Sequence, residues 1–205
     1  MKHGKYVFAV IAVIAAVLVF SCGSSGGGGG NAAVAVEPFR LSFDDPESVS
    51  ANWTVAIAEF WDHKGTVEIS RDDTTLGKPM LRMDVDFTKD TGSEWSEPKL
   101  GYKLSEPFVM AGYKNFVFDI IYNPEFSTKG HFKSKFLFMN DNKKLSECQS
   151  DHIKGEEMDN GFIKATVSLR LTPRTSNAMN NMIFAIAGYK TDYKGPVFFD
   201  NIRWE

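Results

Sequence analysis

The sequence predicts an all-β fold, a single-domain jelly-roll β-sandwich over residues 37–205. Three observations lead there. Apolar side chains alternate with period two through most of that span, as on strands with one buried face. No long stretch carries the 3.6-residue apolar stripe of a helix. Turn-forming residues interrupt the alternation at short intervals, leaving ten or so short strands, the pattern of a sandwich.

The elements follow in order. Phe39–Phe43 is the first strand, ended by Asp44-Asp45-Pro46, and Pro46–Ala51 reads as a short helical turn. Trp53–Ala58 and Gly65–Arg71 are the next strands. In Pro79–Phe87, entered through Gly77-Lys78, residues Leu81, Met83, Val85 and Phe87 share one face, and Arg82, Asp84 and Asp86 share the other. Lys99–Leu104 follows. Phe116–Tyr122, Phe136–Met139 and Met182–Ala187 are apolar on both parities, as expected of central strands covered on both sides. Asn123-Pro124 marks a turn, and Asp151–Asp159 reads as a solvated loop without diagnostic metal-ligand spacing. In Phe162–Arg170, Ile163, Ala165, Val167 and Leu169 alternate with Lys164, Thr166 and Ser168. Val197–Trp204, after Lys194-Gly195-Pro196, closes the fold.

The first 36 residues have a different character. Lys2 and Lys5 precede an unbroken apolar run, Val7–Phe20. That run is shorter than the roughly 20 residues a membrane-spanning helix needs, but it suits a secretory signal. It ends in Val19-Phe20-Ser21-Cys22, which resembles the lipobox of bacterial lipoproteins. Residues 1–21 are therefore expected to be removed and Cys22 acylated. Residues 22–36, with the glycine run Gly26–Gly30, form a flexible tether. The expected location is outside the cytoplasm, lipid-anchored to a bacterial membrane and facing the surface or periplasm. Loss of two lysines and no acids with the leader takes the formal net charge from −3 to −5, which excludes nucleic acid as the main partner. Cys148 is then without a disulfide partner, so the exported domain relies on packing.

Several motifs together carry a resemblance. The opening Phe43-Asp44-Asp45-Pro46-Glu47 with Asn52-Trp53 and the ending Gly195-Pro196-Val197-Phe198-Phe199-Asp200-Asn201-Ile202-Arg203 resemble jelly-roll, galactose-binding-domain-like sugar-binding modules. Three interior landmarks narrow this: Ser93-Glu94-Trp95-Ser96-Glu97, Phe118-Asp119-Ile120-Ile121-Tyr122-Asn123-Pro124 and Lys129-Gly130. With them the chain, from about Phe39 to Trp204, resembles carbohydrate-binding module family 27, the mannan-binding modules attached to bacterial β-mannanases. The resemblance implies non-catalytic binding of β-mannan (mannan, glucomannan or galactomannan) or a related plant polysaccharide, by a monomer. Asp141-Asn142-Lys143-Lys144 lacks the ligand-stacking tryptophan that this family carries in the corresponding loop.

Sugar rings present an apolar patch of C–H bonds that a flat indole can cover. Trp95, between glycine and charged residues, is the first candidate; Trp61, beside Asp62 and His63, is the second; Trp53 is open between binding and core. Trp204 is expected to pack. Glu94, Glu97, Lys135 and Asn140 are candidate hydroxyl partners at the rim. Asp44 and Asp200, on neighbouring first and last strands, are candidate ligands of a structural calcium, which the resemblance also implies. Two alternatives stay open: a glycoside hydrolase or enzyme component, and an envelope scaffold or protein-binding lipoprotein whose sugar site has decayed. Against the first, no histidine is placed beside a plausible nucleophile, and on a strand Glu94 and Glu97 would face opposite ways.

Overall fold

In the computed structural model the described residues are 39–55, 67–89, 95–141, 143–171 and 178–205, all within the unit formed by residues 35–205. The leader, Cys22 and the tether lie outside them, as do Trp61 and Glu94. The strands are β1 (Phe39–Arg40), β2 (Trp53–Val55), β3 (Val67–Asp72), β4 (Met80–Asp86), β5 (Trp95–Ser96), β6 (Lys99–Val109), β7 (Asn115–Tyr122), β8 (His131–Asn140), β9 (Lys143–Gln149), β10 (Glu156–Glu157), β11 (Ile163–Arg170), β12 (Ala178–Tyr189) and β13 (Lys194–Trp204). Between β1 and β2 lies a helix, α1 (Pro46–Asn52). It starts where Asp45 accepts the Glu47 N–H at 3.0 Å and Pro46 supplies a preset φ, the chemistry read as a turn from Asp45-Pro46.

Two antiparallel sheets result. One has the order β10-β11-β7-β13-β4-β3, with β1 pairing the end of β13 that β4 does not reach. The other has the order β2-β6-β12-β8-β9, with β5 pairing the end of β12 beyond β6. First and last strands are neighbours, as the jelly roll requires.

Phenylalanines fill the space between the sheets. Phe116 and Phe118 of β7 meet Phe136 of β8 at ring separations of 4.4 and 5.0 Å, and Phe136 stacks on Phe184 of β12 at 4.2 Å. Each such pair contributes about 0.5–1.5 kcal/mol beyond burial alone. Trp204 is 0% exposed and packs among Phe39, Phe108 and Phe116, the structural role expected of it.

The outer face of the seven-stranded sheet is closed as well. Met80, Ile121 and Phe198 form a second cluster there, covered by Leu76, Met158 and Phe162 from the β3–β4 and β10–β11 connections. This is why β7 is apolar on both parities. Beside the cluster, buried Asp119 accepts from Thr166 Oγ1 (2.6 Å), Asn201 Nδ2 (2.6 Å) and Lys164 Nζ (2.9 Å). Burial raises its pKa, but these three donors outweigh that and hold it below the ordinary carboxylate range. Asn201 sits at a β13 register shift with φ +50°, a left-handed conformation that asparagine tolerates. Two motifs of the resemblance, Phe118-Asp119-Ile120 and Asp200-Asn201-Ile202, thus meet in one hydrogen bond.

Candidate functional site

The outer face of the six-stranded sheet is built differently. On β12, Met182, Phe184 and Ile186 point into the core, so Asn181, Ile183, Ala185, Ala187 and Tyr189 point out. Strand registers place their neighbours in rows. Trp95, Tyr189 and His131 form the first row, and Lys133 stands beside Ala187 in the second. Lys99, Ala185, Lys135 and Gln149 form the third, and Gly101, Ile183, Leu137 and Glu147 the fourth.

The first row is an aromatic platform. The ring of Trp95 lies 4.8 Å from that of Tyr189 and 6.3 Å from that of His131, which lies 5.1 Å from Tyr189. Trp95 is 39% exposed, the one open indole among the described tryptophans. The Lys133 ammonium lies 5.1 Å from the Trp95 ring centroid, a cation–π position.

Beyond the platform, charged side chains pair across the face. Lys99 reaches Glu97 at 3.4 Å, and Lys135 reaches Glu147 at 3.1 Å; Glu147 also meets Lys144 at 2.8 Å. Lys99 is 4% exposed. Burial pushes its pKa down, Glu97 pulls it back, and the nearby Lys135 pushes it down again. Glu147 is held below its ordinary value by Lys144 first, against burial, with Lys135 adding to the effect. Such paired donors and acceptors suit adjacent sugar hydroxyls, which both give and accept hydrogen bonds.

The candidates from sequence fare unequally. Trp95 and Lys135 are together on this face, and Glu97 joins them through Lys99. Trp53 is a correction: it is 5% exposed, opposite Tyr102 in register, with rings at 4.7 Å from Tyr102 and 6.2 Å from Phe43. Its parity on β2 turns it into the core, and its indole faces are already covered. Asn140 is taken up by structure, donating to the Ala178 carbonyl at 2.7 Å. Tyr189, His131, Lys133, Lys99 and Glu147 belong to the face and were missed. The signal was available in Phe132-Lys133-Ser134-Lys135-Phe136, where lysines alternate with buried residues. Reading Phe136–Met139 as covered on both sides hid it. Leu137 and Met139 are only half-buried and point to the open face.

The calcium candidates are held by protein groups. Asp44 accepts from Ser42 Oγ at 2.7 Å, while Asp200 accepts the Asn201 N–H at 2.8 Å and carries the Lys78 ammonium on its other oxygen. Among the described residues no three His, Cys, Asp or Glu side chains gather as a metal cluster. Asp200 thus stands in an ion pair with Lys78, and Asp44 in a local hydrogen bond with Ser42. Cys148, free and half-buried, has its thiol pushed up to about 12 by burial and then by Glu147, so it stays protonated at neutral pH.

No family model matches the chain, and no curated protein sequence matches it. Solved structures do. The chain is similar to CBM27-1 of Caldicellulosiruptor saccharolyticus, solved in complex with mannohexaose, at 25% identity and a TM-score of 0.62, over 82% of this chain and 96% of that one. It is also similar to TmCBM27, a module studied for specific mannan recognition, at 18% identity and a TM-score of 0.60, over 82% of this chain and 98% of that one. A third similar structure is CBM28, a module specific for non-crystalline cellulose, at 18% identity and a TM-score of 0.59, over 80% and 91% of the two chains. In fold, this chain is similar to the family 27 carbohydrate-binding modules.

Proposed function

We propose that the domain binds β-mannan or a related plant polysaccharide without cleaving it, on the outer face of the six-stranded sheet. The observation that carries this is the row Trp95–Tyr189–His131, in which an open indole stands beside two half-buried rings on the outer face of the sheet. A pyranose stacks on the indole, and the next sugars run over Ala187 and Ala185 towards the Lys99–Glu97 and Lys135–Glu147 pairs. The mannohexaose held by CBM27-1 supports mannan as the polymer. Cys22, acylated, and the glycine-rich tether anchor the domain to a membrane, where many copies compensate for modest affinity per site.

A hydrolase reading finds no support in the electrostatics. Glycoside hydrolysis uses a carboxylic acid with a raised pKa opposite a second carboxylate. Every carboxylate with a resolved shift among the described residues (Asp72, Asp86, Asp119, Glu147 and Asp192) is shifted down.

Affinity electrophoresis through glucomannan and galactomannan tests the proposal. The protein is expected to be retarded in at least one. Trp95→Ala should migrate freely while melting at nearly the same temperature. Free migration of the unmodified protein in both gels removes the substrate assignment, and release of reducing sugar from mannan replaces it with an enzyme.

A further inference from the structure

A second concavity lies where the two sheets meet, at the end of the sandwich that carries the Trp95 platform. Its volume is about 380 Å³, and its lining combines the aromatic residues Tyr122, Phe132 and Tyr193 with the hydroxyl residues Ser127, Thr128 and Thr191. That is within the range of small-molecule sites and far more than one or two ordered waters need.

Its walls are of two kinds. The rings of Tyr122 and Phe132 meet edge to face at 5.4 Å, and Tyr193, 0% exposed, packs on Phe132 at 5.0 Å and backs an aromatic floor whose open surface is mainly that of half-buried Tyr122. The opposite rim is hydroxyls and backbone, held rigid by one carboxylate. Asp192 accepts from Ser127 Oγ at 2.7 Å and from the Thr128 N–H at 2.9 Å, and Thr128 Oγ1 donates to its second oxygen. Ser127 Oγ also lies 3.1 Å from Thr191 Oγ1. Gly130 completes the rim at φ +79°; a Cβ there would stand 2.4 Å from the Tyr189 carbonyl oxygen and 2.6 Å from the Thr191 backbone. The cavity is therefore preformed, which removes the ordering cost from binding.

The charge at the cavity narrows the ligand class. Lys129, exposed, is the one permanently charged side chain in the lining, and the Asp192 carboxylate beside it is already taken up by Ser127 and Thr128. His131, which lines both this cavity and the platform, has its pKa lowered by burial, then by His152 and Lys133, so it is neutral at pH 7. An aromatic floor under a rim of neutral donors and acceptors suits an uncharged polyhydroxylated ring. The cavity volume is at the lower end of small-molecule sites, so it suits one ring rather than a run of several.

From this geometry we infer that the end cavity is a second saccharide site, which takes a single terminal neutral pyranose. It rests on the proposed function only for the identity of the polymer; the site stands or falls on its own residues. The test is amide-resolved NMR titration of the full chain with methyl mannoside, methyl galactoside, methyl glucoside and, as a charged control, glucuronate. At least one neutral glycoside is expected to shift the Thr128, Gly130 and Thr191 amides saturably in the millimolar range. The shifts should persist in Trp95→Ala and weaken at least tenfold in Lys129→Trp, a bulky rim substitution that leaves the Asp192 hydrogen bonds in place. Shifts confined to Ala187 and Tyr189 and lost with Trp95→Ala would place all sugar on the sheet face and overturn the site. So would saturation by glucuronate alone, or no shift at any of the three amides. Retardation in polysaccharide gels without these shifts removes the second site and leaves the proposed function standing; the shifts without retardation do the reverse.

Discussion

The two outer faces of this sandwich use similar raw material to opposite ends. On the seven-stranded sheet, Met80, Ile121 and Phe198 are sealed by Leu76, Met158 and Phe162, and the polar residues among them are consumed by one another. Arg82 is divided between Asp72 (3.0 Å) and Asp84 (2.7 Å), and Asp119 takes three donors. On the six-stranded sheet, Trp95 stays open and lysines line the central rows. The difference teaches that an apolar ring outside the core marks function only where no connection folds over it. Phe198 and Trp95 both point away from the main core, and only Trp95 remains available.

The sharpest way to break that contrast is to remove one ring from each face. Phe198→Ala empties a fully buried site, and such truncations cost about 3–5 kcal/mol. For a domain of this size the melting temperature should fall by roughly 6–20 °C. Retardation by polysaccharide at low temperature should be unaffected. Trp95→Ala should give the mirror image, with binding lost and melting kept. Calorimetry and affinity electrophoresis on the same two preparations check both. A binding loss in Phe198→Ala below its melting range would mean that the closed face also touches polymer.

Next in size is the buried carboxylate that ties the closed face together. Asp119→Asn keeps the shape but leaves Lys164 facing an amide, at a cost of about 1–3 kcal/mol. The pH dependence carries a definite sign. The folded-state pKa of Asp119 is depressed, so its contribution is complete above the unfolded value of about 3.9 and is lost as pH falls below it. Asp72, held down against burial by Thr75, Thr74 and Arg82, behaves the same way. The melting temperature should fall on acidification below about pH 4, and the fall should be shallower in Asp119→Asn. Parallel curves for the two proteins would show that Asp119 ionisation does not stabilise the fold.

These contrasts also show how far the chain could be read in advance. The strands with clean alternation were legible because their burial is one-sided: Leu81, Met83 and Val85 face the core and Ala165 and Leu169 do likewise. The short edge pieces β5, β9 and β10 were not, since pairing partners set by register create them and their residues carry little apolar signal. The exposure of Trp95 was legible from its polar neighbours. Trp53 was not, because a single tryptophan at a strand start carries no parity until its pairing with Tyr102 is known. Asp44 and Asp200 illustrate another limit: sequence suggests that acids gather but cannot show that Lys78 pairs with one of them.

That ion pair gives a smaller, two-sided test. The resemblance leads to an expected calcium ion beside Asp44 and Asp200, and Lys78 now supplies the positive charge on Asp200. Lys78→Ala should free that carboxylate, so millimolar calcium is expected to raise the melting temperature of the variant more than that of the parent, by a few degrees at most. Equal melting in calcium and in chelator for both proteins removes the ion from the account.

The smallest effect expected is the most informative about the open face. The Lys133 ammonium lies over the Trp95 ring, and an exposed cation–π contact is worth about 0.5–1 kcal/mol. A pyranose stacking on that surface must displace it. Lys133→Ala removes the competitor without touching the core, since Lys133 points outward beside Ala187. Affinity for polysaccharide should therefore rise about two- to fivefold, the factor that 0.5–1 kcal/mol corresponds to, with melting unchanged within a degree or two. Isothermal titration with a mannan oligosaccharide checks it. Weaker binding would reverse the role of this lysine, making it a donor to the bound sugar rather than a cover over an idle ring.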